Sequence, residues 1–172
     1  MNIINLFSNE GYIDAQYGEF YHGKEKEVAS IFGAKNIGFH LEILNPKTFT
    51  CPYHYHTEEE EICLVIEGEA ILRVNNEFRK VKAGDLIYHG TNEKSAHHMY
   101  NHTEKPFKFL AMSTKFPEEK CFYPDSRKIM DRKLKTITQD GQPAAYFKDE
   151  ETPAQYWPEE ALLGRVPEGT KA

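Results

Sequence analysis

The sequence predicts an all-β protein, a small barrel or sandwich, and three observations carry that prediction. Between residues 36 and 112, short runs rich in β-branched and aromatic residues recur, separated by turn residues at nearly regular spacing. The clearest run alternates, with Ile37, Phe39, Leu41 and Ile43 set between Gly38, His40 and Glu42. No helical repeat, dinucleotide loop or phosphate loop interrupts the pattern.

Taken in order, residues 1–35 mix polarities, carry a charged run from Lys24 to Glu27, and are expected to form an N-terminal arm with one or two short strands wrapping the barrel edge. Residues 36–44 form the first clear strand, and His40 falls on its polar face, where no contact with a metal is expected. Pro46 breaks the chain before a strand predicted over Phe49 to His56. Ile62 to Ile66 is apolar on both faces, so its outer side needs a cover: the arm, the C-terminal segment or a second subunit. Gly68 opens a turn into Ala70 to Val74, and Asn75-Asn76 supplies the positive φ angles of a tight hairpin leading to Phe78 to Val81. Gly84-Asp85 turns the chain into Leu86 to His89, and two further strands follow over Ala96 to Asn101 and Phe107 to Met112.

From Lys115 the character changes. Six of the nine prolines lie beyond this point, alternation is sparse, and charged residues are frequent. The chain is therefore divided into an arm (1–35), a barrel (36–114) and a partly irregular extension (115–172), with Tyr146-Phe147 and Tyr156-Trp157 as its anchors. Packing on the outer sheet is favoured over a lid on the site. The lid alternative predicts that truncation after Thr114 alters ligand affinity and leaves metal content intact.

With 172 residues, 40% of them hydrophobic and 13% aromatic, there is chain enough for one domain with a real core. The net charge of −6, with no basic cluster, argues against nucleic acid and anionic membrane surfaces as partners. Cys51, Cys63 and Cys121 cannot all pair and match no zinc or redox spacing, which fits reduced thiols in the cytoplasm. Cys63 reads as a small core residue with a lesser chance of facing a metal. The first residues have no secretory pattern, and no segment approaches the roughly 18 apolar residues of a membrane span.

The chemistry concentrates in His54 to Gly68. His54 and His56, two apart on an extended strand, present both imidazoles on one face. A turn or bulge at Thr57 to Glu59 would bring Glu61 back to the same place. Two imidazoles and a carboxylate suit a divalent transition metal, with a fourth ligand further on. Four consecutive glutamates or a surface histidine pair alone would carry little weight, but Gly84, His97 and Asn101 follow one hairpin downstream.

This two-part pattern resembles the cupin superfamily. Its first motif, His-x-His, three or four residues, Glu, six residues, Gly, is matched by His54, His56, Glu61 and Gly68; the second by Gly84, His97 and Asn101. The spacing to Gly68 selects Glu61 over Glu60, and the spacing to Asn101 favours His97 over His98. Lys47 stands where the first motif usually opens with glycine, so a differently shaped turn is expected there. The match spans roughly residues 37–112. Within the superfamily the chain most resembles bacterial single-domain cupins with a His-His pair in the second motif and a Tyr-Pro-Asp stretch after the barrel.

The resemblance implies a double-stranded β-helix or jelly-roll barrel, a homodimer, and one divalent ion per subunit on His54, His56, Glu61 and His97. Four protein ligands leave two adjacent positions of an octahedral ion open, which favours Mn, Fe, Co or Ni; Zn would make a more closed site. The function implied is a metal-dependent enzyme, such as a dioxygenase, decarboxylase or isomerase, acting on a small hydroxylated or carboxylated molecule. The alternative is a non-catalytic binder of a sugar or organic acid. For an enzyme, His89 and His98 are the candidate catalytic acids or bases, with Tyr55 and Tyr88 behind them.

Overall fold

In a computed structural model that describes residues 3–169, the chain forms fourteen strands, two short α-helices and two 3-10 turns. The arm contributes β1 (Ile13–Tyr17), β2 (Tyr21–Lys26) and α1 (Val28–Phe32). The barrel comprises β3 (Ile37–Leu44), β4 (Tyr55–His56), β5 (Glu61–Glu67), β6 (Glu69–Val74), β7 (Glu77–Lys82), β8 (Leu86–His89), β9 (His97–Tyr100) and β10 (Phe107–Thr114). The extension adds β11 (Lys120–Tyr123), β12 (Lys128–Asp131), β13 (Thr136–Gln139), β14 (Gln142–Pro143) and α2 (Glu159–Leu162).

One wall is a six-stranded antiparallel sheet in the order β1-β2-β3-β10-β5-β8. The opposite wall is built from β7-β6-β9 and from β14-β13-β12-β11-β4. Bridges Phe49↔Tyr100 and His54↔His97 seat the segment before β4 against β9 and so stitch these two sheets together. The two walls face each other as a jelly-roll barrel. Its core contains Leu44, Val65, Leu72, Met99, Phe107 and Phe109, all buried.

Turn chemistry sets the registers. Asn75 and Asn76 have φ of 47° and 59°, the pair of positive angles that a two-residue hairpin between β6 and β7 requires. Gly68 has φ of 81°, and a Cβ there would come within 2.8 Å of the Pro106 carbonyl oxygen, so side chains are excluded on two grounds. Lys47 corrects the expectation of a different turn shape: its φ of 62° is the left-handed conformation a glycine would adopt. Its N–H donates to Asn101 O at 2.8 Å and its Nζ to His102 O at 2.6 Å, contacts that hold the lysine in that conformation.

Three further expectations change. Phe49 to His56 is not a continuous strand; it touches β9 through single bridges and pairs with β11 only at Tyr55 and His56. The extension is more regular than its composition indicated, because four short strands form a sheet with β4. It also does more than pack outside, since its residues line the barrel cavity. The anchors are where expected: Trp157 is buried with Phe49, Ile71 and Tyr100, and Phe147 stacks on Tyr17 at 3.8 Å. The arm extends the sheet edge beyond β3, as two strands.

Candidate metal centre

His54, His56, Glu61 and His97 converge inside the barrel. The bridge between His54 and His97 places those two side by side, β4 carries His56, and β5 returns Glu61. The Nε2 atoms of His97, His56 and His54 lie 3.1, 3.4 and 4.0 Å from Glu61 Oε2. All four side chains line one cavity of about 450 Å³.

The opposite ring nitrogens decide what those Nε2 atoms are. His54 Nδ1 lies 2.9 Å from Pro52 O and His97 Nδ1 2.9 Å from Ser95 O. A carbonyl oxygen only accepts, so Nδ1 carries the proton in each neutral ring and Nε2 presents a lone pair. His56 Nδ1 lies 3.1 Å from the Glu119 carboxylate, with the same consequence. Three lone pairs therefore surround a carboxylate oxygen that is buried and accepts no hydrogen bond. Acceptors clustered without a donor repel one another; a cation at their centre removes the repulsion, and the donor set fits a divalent transition ion.

Protonation agrees with that fit. Burial lowers His56 and His97, so these rings are neutral at pH 7, the form that ligates a metal. Cys121 is a further sulfur donor near the centre, its Sγ within 4.8 Å of ligand nitrogens on His54 and His56. Cys63 is buried in the core and also lines the cavity.

Glu119 is the residue that sequence reasoning missed. It is 1% exposed, and besides His56 it accepts hydrogen bonds from the backbone N–H groups of Thr57, Glu58 and Glu59 at 3.0, 2.9 and 2.8 Å. One carboxylate thus holds the turn that returns Glu61 and fixes the ring of His56. Glu59, buried beside it, pairs with Arg132, so two of the four consecutive glutamate positions have defined roles. Asn101 is buried and structural: its amide donates to the carbonyls of Asn45 and Lys105, and its Oδ1 accepts from Thr103.

The two candidate catalytic histidines lie differently. His89 pairs across from Glu61 on β8 and stacks flat on His97, centroids 3.5 Å apart and planes within 5°. It is buried behind that ring and is not among the cavity-lining residues, and burial lowers its pKa to about 2. His98 borders the cavity, but both nitrogens are committed: Nδ1 faces Cys51 O at 3.3 Å, and Nε2 accepts the Trp157 indole N–H at 2.8 Å. Tyr55 stacks on Phe122, and Tyr88 is exposed and bonded to Glu60; neither lines the cavity.

A family model described as a cupin domain matches residues 40–113. No curated protein matches the sequence. Among solved structures, a sugar phosphate isomerase of the cupin superfamily from Silicibacter pomeroyi superposes with a TM-score of 0.71 at 24% identity, over 83% of this chain and 96% of the other. A protein from Acidithiobacillus ferrooxidans, provisionally named a sugar phosphate isomerase, gives 0.64 at 22% identity over 68% and 74%. A Thermotoga maritima protein described as a predicted oxalate decarboxylase gives 0.52 at 19% over 63% and 97%. At these identities the likeness establishes a shared fold. With the barrel, both motifs and the matched span in agreement, this chain carries a cupin domain at residues 40–113.

Proposed function

We propose that His54, His56, Glu61 and His97 hold one divalent transition ion, drawn from Mn, Fe, Co, Ni or Zn, and that the protein is an enzyme acting on a small hydroxylated or carboxylated molecule. The observation that carries this reading is the convergence of three imidazole lone pairs on one unpartnered carboxylate oxygen, each ring locked from behind. A bound ion supplies Lewis-acid polarisation of a substrate oxygen. The chain supplies the rest: Pro52, Ser95 and Glu119 orient the ligand rings, and Phe109 and Ala111 give the cavity apolar wall beside them. Isomerase and decarboxylase chemistry is supported by analogy with the fold's solved members, dioxygenase chemistry by the wider resemblance.

The test is elemental analysis of protein purified without chelator or nickel resin. Stoichiometric metal is expected in the wild type and a sharp loss in His97→Ala, His54→Ala and Glu61→Ala; full occupancy in these variants refutes the ligand set. A second reading, a non-catalytic binder of a sugar or organic acid, is favoured by one observation: His89 and His98 are both packed away from any proton-transfer role. Tight binding without turnover of any of a panel of hydroxy acids and sugars by the metal-loaded protein selects it.

The same reading places the protein in the cytoplasm as a homodimer. Three unpaired cysteines support the compartment. The outer face of the six-stranded sheet supports the dimer: Ile62, Leu64, Leu110 and Met112 are only half-buried, and Leu86 and Tyr88 beside them are 66% and 61% exposed. α1 packs on the β3 side of this sheet, Phe32 against Phe39, leaving the β5 and β8 part for a second subunit. Light scattering should give twice the chain mass for wild type and the chain mass for Leu64→Glu; a monomeric wild type refutes the assignment.

A further inference from the structure

The cavity has a second polar pole that the metal ligands do not use. His40 and Glu42 both line it, from β3, two strands across the six-stranded sheet from Glu61. The register explains how they get there. Glu61, Ser113 and Gly38 form one row across β5, β10 and β3; Cys63, Ala111 and His40 form the next; Val65, Phe109 and Glu42 the third. Side chains two apart on a strand share a face, so Glu61, His40 and Glu42 all point inward. One row is about 7 Å along the strands and two strand spacings about 10 Å across, which puts the Cα atoms of His40 and Glu61 roughly 12 Å apart. The span left between the inward side chains is that of a short-chain molecule.

His40 Nε2 lies 3.6 Å from Glu42 Oε2. Burial raises the Glu42 carboxyl, with His40 opposing the rise. Burial lowers the His40 imidazole, but Glu42, Glu27 and Glu25 together raise it above its ordinary value. The pair thus places an imidazole and a carboxylate at ion-pair distance on the cavity wall, with room for a ligand hydroxyl to bond to both. Glu25, directly across from Glu42 on β2, lines the same wall. A second anionic group on a ligand would meet two carboxylates there, whereas neutral hydroxyls would find both donors and acceptors.

Resting on the metal-centre reading above, we propose that His40 and Glu42 form the distal half of the binding site, taking the terminal hydroxyl groups of a short polyhydroxy acid whose carboxylate end lies at His54, His56, Glu61 and His97. The substrate class is then a linear sugar acid with a single anionic end. The pair positions that chain by hydrogen bonds and stands where a hydroxyl proton can be exchanged.

The experiment is calorimetry on the Mn-loaded full chain with glycolate, glycerate, erythronate and ribonate, a series that lengthens one hydroxylated carbon at a time. Affinity should step up by about tenfold at the first acid long enough to reach the pair, the worth of one or two hydrogen bonds. Glu42→Ala and His40→Ala should abolish the step. Glycolate is too short to reach the pair, so its affinity and the metal content serve as controls for the folded site. A flat series in the wild type, or a step that survives both variants, overturns the inference while the metal centre stands. Failure of the wild type to take up metal or glycolate overturns the metal-centre reading itself. Side-chain ¹⁵N spectra of wild-type His40 give an independent readout: its ring signals should move with the acid at the step and not with glycolate, and unmoved signals also overturn the assignment, whether or not the variants fold.

Discussion

Glu119 is expected to act twice, on stability and on metal affinity, and the two effects can be separated. Replacing it with alanine strands four donors at once: the His56 ring N–H and the backbone N–H groups of Thr57, Glu58 and Glu59. Each buried donor left without a partner costs about 1–3 kcal/mol, and the effects are not additive, so a total loss of about 3–5 kcal/mol is expected for Glu119→Ala. Glu119→Gln keeps one acceptor oxygen but turns an amide group toward donors, which gives a smaller loss of about 1–3 kcal/mol. Metal affinity should fall about 10- to 100-fold in both variants, since an outer partner that orients a ligating imidazole typically contributes that much.

Urea unfolding of metal-free protein reads the first effect, and competition with a chromophoric chelator reads the second. Glu119→Gln is the informative variant, because a folded protein with weakened metal binding isolates the orientation of His56 from the holding of the turn. Wild-type metal affinity and an unchanged urea midpoint in Glu119→Gln would refute the reasoning on both counts.

Two further outcomes follow from the same geometry. His89 has an ordinary pKa of 6.5 when unfolded and about 2 when folded, so only the unfolded chain takes up its proton as pH falls below 6.5. The stability present above pH 6.5 is therefore lost on acidification, by about 2 kcal/mol from this group between pH 6.5 and 5. His89→Phe, which can keep the stack on His97, should flatten the slope of stability against pH by one proton over that range; equal slopes in urea titrations at pH 7, 6 and 5 would contradict it. Truncation after Thr114 removes Glu119 together with the cavity residues Cys121, Tyr123 and Tyr146, so it should lower metal content as well as ligand affinity. A folded truncation with full metal content, which a simple lid would leave, would count against the composite site.

What was legible in the sequence was local. His54 and His56 share a face because two residues make one strand repeat, and Glu61 returns because the four residues from Thr57 to Glu60 suffice for the connection between β4 and β5. The hairpin at Asn75-Asn76 and the strand Leu86–His89 were equally local. Glu119 was not legible, because it meets His56 across 63 residues of sequence and nothing in the Glu118-Glu119 pair marks one glutamate as buried. The sheet of the extension was hidden for a related reason. Its strands are two to four residues long, too short for alternation to stand out, and they depend on pairing with β4. Lys47 shows the converse: a residue type that argued for a new turn shape was accommodated in the old one by its contacts with Asn101 and His102.

The strand Ile37–Leu44 shows where periodicity stops being sufficient. Alternation correctly separated Gly38, His40 and Glu42 from the apolar set, but a period of two says which residues share a face and not which face is interior. In an ordinary half-solvated sheet the apolar face would be the inner one. Here the polar face lines the cavity, and the opposite side is covered at Phe39 by α1 and buried at Leu41. That inversion gives the barrel an interior lined by polar side chains in addition to a packed core. A sheet that keeps His40, Glu42 and Glu61 inside, at the cost of their desolvation, retains them where hydrophobic residues would be more stabilising. The same logic joins the two ends of the cavity: one end gathers lone pairs without a donor, the other an imidazole and a carboxylate at ion-pair distance, and apolar wall separates them.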